Sequence, residues 1–108
     1  MFGFRKLDGY RCALQALPLL YAFASRADPE TKRQLRRAAL SINLNIAEGT
    51  GRRDDDQRQF YRIARGSALE SAAVLDAIRV LDLASSDEIA PAEELLVRIV
   101  SMLTKMAG

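Results

Sequence analysis

The 108-residue chain has no histidine, a single cysteine, three prolines and no long hydrophobic run. Without histidine there is no imidazole general base, no usual zinc ligand and no Ser-His or Cys-His nucleophilic pair. Cys12 alone cannot close an intrachain disulfide; a small buried hydrophobe is its expected role, not a reactive thiol. No stretch approaches the roughly 20 apolar residues that span a bilayer. The opening Met-Phe-Gly-Phe-Arg-Lys lacks the apolar run and cleavage site of a signal peptide. The expectation is a cytoplasmic, non-enzymatic chain with no membrane partner, cofactor or metal.

What is present points to helices. Apolar residues make up 49% of the chain, Ala and Leu are abundant, and β-branched runs are absent. The length suits one core, so residues 1–108 are expected to form a single all-α domain. Helices are predicted at about 9–25, 29–48, 54–83 and 91–106, and their short connections favour an antiparallel up-down-up-down four-helix bundle.

In the first helix Tyr10, Leu14, Leu17, Tyr21 and Ala24 recur at spacings of four and three, forming the expected inner stripe. Phe23 lies off it, and Pro18 should bend the helix. Asp28 and Pro29 read as the N-cap and first residue of the second helix. Its core stripe is Leu35, Ala39, Ile42 and Ile46. In the third helix Asp54 should cap, with Gln57 answering. Phe60, Ala64, Ser67, Ser71, Val74, Ile78 and Leu81 form the expected stripe there. Pro91 should lie in the first turn of the fourth helix, with Ala92, Leu95, Ile99, Met102 and Met106 inward.

Leu40 and Leu44 fall on the opposite side of the second helix from its core stripe, and Leu69, Ala73 and Val80 fall opposite the stripe of the third. Apolar residues on both faces call for a second burial partner, and self-association into a homo-oligomer is the simplest source.

Charge is uneven. From Arg26 to Arg65 there are ten Lys/Arg and six Asp/Glu, against six and eight elsewhere. Arg33, Arg36, Arg37, Arg52, Arg53, Arg58, Arg62 and Arg65 are therefore candidate phosphate contacts. The run Asp54-Asp55-Asp56 counts against a strong anion site at the turn and reads as dipole complement at a helix start.

The segment Ser41 to Arg52 stands out. Gly49 is read as the helix stop, turning through a left-handed conformation, and Gly51 as further freedom. Glu48, at the negative helix end, needs a donor from Arg52, Arg53 or the amides of the next helix, a reading favoured over a general base. Asn45 and Glu70 flank the core stripes as a polar pair able to fix register. Ala64, Gly66, Ser67 and Ser71 fit close approach of another backbone; Ser67 has no base to activate it as a nucleophile.

The run Ser41-Ile42, Asn45-Ile46-Ala47-Glu48-Gly49, Gly51-Arg52, then Phe60, Ile63-Ala64, Gly66-Ser67 and Glu70, resembles the four-helix-bundle proteins encoded in bacterial 23S rRNA intervening sequences. The likeness extends from about Leu7 to Met106. It implies a ring-shaped homo-oligomer, a pentamer, and kinship with accessory variability proteins of diversity-generating retroelements, basic bundles that work with a reverse transcriptase and nucleic acid. It implies no enzymatic activity. Asn43 stands where that family commonly has proline, and Ser71 where it has an apolar residue. The functional expectation is an oligomer that binds RNA or a nucleic-acid-associated partner, with a structural adaptor as the alternative.

Overall fold

A computed structural model describes residues 2–108. It contains a 3₁₀ turn at Gly3–Lys6 followed by helices α1 (Asp8–Ala24), α2 (Pro29–Thr50), α3 (Asp54–Val80) and α4 (Ser86–Met106). There is no strand among the described residues. All four helices contribute to one connected apolar core, centred on Leu20, Leu35, Ile42, Ile46, Leu75, Ile78, Leu96, Ile99 and Leu103.

Contacts distant in sequence define two ends. At one, Arg98 of α4 holds Asp8 of α1 through two hydrogen bonds of 2.7 and 3.0 Å. The Gly9 amide beside them donates to the sulfur of Met102. Arg62 of α3 reaches the Ala107 carbonyl just after α4, and Thr50 of α2 bonds the Tyr61 hydroxyl of α3 at 3.2 Å. At the other end Arg26, just past α1, reaches the Leu83 carbonyl and Glu88 of α4, each at 3.1 Å.

The start of α2 follows the sequence reading: Asp28 accepts from the Thr31 amide at 3.1 Å, and Pro29 opens the helix. All four residues of its expected core stripe are buried. In α1 the inward face differs from the expected one. Gly9, Cys12, Ala13, Ala16, Leu20, Phe23 and Ala24 are buried, whereas Leu14 is 47% exposed. Small residues let the α1 backbone approach its neighbours, a contact that the larger Tyr and Leu side chains do not announce. Phe23 is core, not an outlier. Burial also raises the Cys12 thiol pKa, with Asp8 adding to the shift, so the thiol stays protonated.

The face of α3 is displaced by about one residue at its start. Tyr61, Ala64, Ala68, Ser71, Leu75 and Ile78 are buried, Phe60, Ser67 and Val74 are half-buried, and Leu81 lies beyond the helix, exposed. The helix ends at Val80 through a Schellman arrangement: Leu83 N–H to Ile78 O and Asp82 N–H to Arg79 O, both 3.0 Å. Asp82 supplies the left-handed residue at φ 59°.

Helix α4 begins five residues before the expected Pro91. Ser85 accepts from the Glu88 amide while Glu88 accepts from the Ser85 amide, a complete capping box. Pro91 therefore sits inside the helix. The inner face is Ile89, Ala92, Leu96, Ile99 and Leu103, with Leu95, Met102 and Met106 packed at its edge.

Candidate nucleic-acid interface

The turn between α2 and α3 is organised differently from the glycine stop read from sequence. Gly49 is buried within α2, and the helix continues to Thr50 with Gly51 as its C-cap at φ −84°. Neither glycine adopts a left-handed conformation. Gly49 is small because α3 lies against it: a β-carbon there would stand 2.8 Å from Tyr61 Cε1 and 3.0 Å from Phe60 Cβ. Asp54 does not cap α3. The capping position is Arg53, without a side-chain bond, and Asp54 opens the helix at φ 52°. Gln57 turns the other way, its amide donating to the Gly49 and Arg52 carbonyls, both at 3.1 Å.

Arg52 pins this corner. It bonds Glu48 Oε1 at 2.7 and 3.2 Å and Asp56 Oδ2 at 3.4 Å, with its guanidinium 5.2 Å from the Phe60 ring centre. The Glu48 hydrogen bond, with the Glu48 and Asp56 charges, raises the Arg52 pKa. Glu48 is thus compensated as its position at the helix end requires.

The expected Asn45–Glu70 pair is not formed. Asn45 donates to the Ser41 carbonyl and hydroxyl, both at 2.9 Å, within its own helix, and Glu70 is exposed. The polar link between α2 and α3 is instead Ser67 Oγ to Ser41 Oγ at 2.8 Å. Gly66 is exposed and a β-carbon there would meet nothing within 4 Å, so no backbone approaches it within the protomer. Asn43 is buried with its side-chain amide unpartnered among the described residues.

The eight candidate arginines fall into two groups. Arg33, Arg36 and Arg37 lie near the start of α2, and Arg52, Arg53, Arg58, Arg62 and Arg65 near the α2–α3 turn. At about 1.5 Å per helical residue, some 20 Å or more of α2 separates them. Several are engaged: Arg33 with Glu30 at 2.7 Å, Arg52 as above, and Arg58 with Asp55. Arg36 lies over the Tyr21 ring, 5.4 Å from its centre. Arg53, Arg62 and Arg65 form no ion pair among the described residues.

Tertiary contacts add cations that the local sequence did not group with the turn. The half of the molecule holding residues 2–16, 40–67 and 97–108 carries ten Lys/Arg and five Asp/Glu; the other half carries six and nine. Arg5, Lys6, Arg11 and Lys105 thereby join Arg53, Arg62 and Arg65 at one basic end. Their separation in sequence hid this grouping, which follows from the packing of the 3₁₀ turn on α1 and α2 and of α4 on α1 and α3.

The outer apolar residues stay uncovered in the protomer. Leu40 is 40% exposed, Leu44 59%, Leu69 53% and Val80 72%, and Ala73 is also exposed. Leu69 borders an apolar groove between α3 and α4 lined with Ala72, Leu96, Val97 and Val100. Among the described residues, no group of three or more Asp, Glu or Cys side chains is arranged to hold a metal ion, and no helix is long and apolar enough to cross a membrane.

No curated protein matches the chain significantly in sequence. A family match spans nearly its whole length, however, covering the α2–α3 corner, the basic turn and all four helices. Over residues 6–105 the chain belongs to the 23S rRNA-intervening sequence protein family.

Proposed function

We propose that this protein is a non-enzymatic, cytoplasmic, antiparallel four-helix bundle that assembles with itself and binds RNA, or a partner carrying nucleic acid, through its basic end. The observation that carries the reading is the charge polarity of the molecule, with ten cations against five carboxylates in one half. Arg53, Arg62 and Arg65, which form no ion pair among the described residues, are the principal phosphate contacts. Arg52 and Arg58 are held by Glu48, Asp56 and Asp55, so they contribute mainly by shaping the corner. Arg33, Arg36 and Arg37 make a separate basic strip on α2.

Assembly rests on the apolar residues left outward. Leu69, Ala73 and Val80 recur at spacings of four and seven along α3 with Gly66 one turn before them, a narrow seam of coiled-coil type with room for close approach. A homopentameric ring would repeat the basic end around its circumference and enlarge the anionic footprint. Kinship with the retroelement accessory proteins fits the same reading.

Titration of labelled ribosomal RNA fragments against the protein over a salt series tests the proposal: affinity should fall steeply as salt rises. Absence of salt-sensitive binding at low ionic strength would favour the second reading, an adaptor without nucleic-acid binding that assembles through the same outward apolar residues and presents its ring to another protein.

A further inference from the structure

The N-terminal segment carries an aromatic ladder that leads from the core to solvent. Tyr10 packs against the core; Phe4 meets it edge-on with ring centres 4.8 Å apart; Phe2 stacks on Phe4 at 5.5 Å and an interplanar angle of 23°. Phe2 and Phe4 do not belong to the core, and Phe2 remains 62% exposed. Its ring is not needed to hold the bundle together.

Cations surround this ladder. The Arg5 guanidinium lies 5.2 Å from the Phe2 ring centre and 6.0 Å from that of Phe4. Arg11 donates to the Arg5 carbonyl at 3.1 Å, which fixes the 3₁₀ turn onto α1, and Lys6 is exposed beside it. Asp8, the one carboxylate among residues 2–27, is already bound by Arg98. Among the described residues, Arg5, Lys6 and Arg11 are left without acidic partners.

We infer that Phe2, Arg5, Lys6 and Arg11 form a contact for single-stranded nucleic acid, with an unpaired base stacking on Phe2 and the adjoining phosphates held by the three cations. The inference rests on the basic-end reading above and sharpens it from anionic polymer to single strand. An exposed ring bordered by unpaired cations is the combination that binds unpaired bases without reading their sequence. A duplex keeps its bases stacked on one another and would meet only the cations.

The chain has no tryptophan, so Phe2→Trp in the full-length protein places a single reporter at the proposed contact. Single-stranded oligonucleotides should quench its fluorescence, and duplexes of equal length should leave it unchanged. Phe2→Ala should weaken single-strand affinity about 5- to 150-fold, the range for loss of one base–aromatic stack, with duplex affinity and helical content unaltered. Equal affinity of Phe2→Ala and the parent for single strands would overturn the inference and leave the basic-end reading standing. Failure of the parent to bind any nucleic acid at low salt would overturn both. A reporter that responds only to anionic vesicles, or to protein concentration, would reassign the segment to a lipid surface or to self-association and overturn the inference.

Discussion

Ser67 donates its hydroxyl to that of Ser41 at 2.8 Å, joining α3 to α2 at mid-length. Ser41 in turn accepts from Asn45, so three small polar side chains tie the two helices in a half-buried strip. Ser41→Ala leaves both donors without that acceptor, and a loss of about 0.5–1.5 kcal/mol in denaturant-derived stability is expected. Ser67→Ala should cost less, because Asn45 keeps both of its bonds. Double replacement should cost less than the two single losses together; strict additivity would show that the hydroxyls do not interact.

Two glycines in one family motif should respond oppositely to alanine. At Gly49 the added methyl would press on Tyr61 and Phe60. The strain should outweigh the gain in helix propensity, for a net loss of about 1–2 kcal/mol. At Gly66 the methyl meets nothing in the protomer, and a gain of up to about 1 kcal/mol is expected. If the outer face of α3 packs in the assembly, Gly66→Ala should also reduce oligomer content in sedimentation velocity while the protomer becomes more stable. A stable parent monomer at micromolar concentration would contradict assembly altogether.

Asp82 holds φ 59° in the Schellman turn that ends α3. Asp82→Gly should relieve that backbone cost and stabilise by up to about 1 kcal/mol in thermal unfolding, whereas Asp82→Val should destabilise. Equal melting temperatures for the two variants would show that the turn relaxes freely.

The acid side of the stability profile follows from the carboxylates. Hydrogen bonds from Thr31 lower the Asp28 pKa, the Arg33 side chain lowers Glu30, and Arg58 lowers Asp55. The Ser85 amide, with Arg26, lowers Glu88. Folded-state values below the unfolded ones mean that the stabilisation is present above about pH 4 and is lost as pH falls through the folded values. The groups are exposed, so the slope should be shallow. With no histidine in the chain, the melting temperature should stay flat from about pH 5 to pH 8; a transition centred near pH 6.5 would contradict this assignment.

Local signals were legible where the physics is local. Asp28-Pro29 marked the start of α2 because capping acts within three residues, and the α2 stripe was readable because Leu35, Ile42 and Ile46 are large and regularly spaced. The α1 face was not, since Gly9, Cys12, Ala13 and Ala16 are chosen for backbone approach and carry no bulky pattern. The Ser85–Glu88 capping box was present in the sequence, but Pro91 drew the expected boundary past it. Gly49 reads as a turn glycine from sequence because a helix stop and a close contact ask for the same residue; only the position of Tyr61 distinguishes them. The basic end was the least legible feature, because Arg5, Arg65 and Lys105 fall in one half of the molecule only once the helices have packed.

The central claim is that this basic end holds phosphates. It is tested most directly by the salt slope of single-stranded RNA affinity for the parent and for the Arg53→Gln, Arg62→Gln, Arg65→Gln triple variant, with helical content as the check on folding. The account predicts a parent whose log affinity falls linearly with log salt, and a triple variant that binds more weakly with a slope smaller by about 2. Equal slopes and affinities for the two proteins, or a parent that does not bind at low salt, would contradict it.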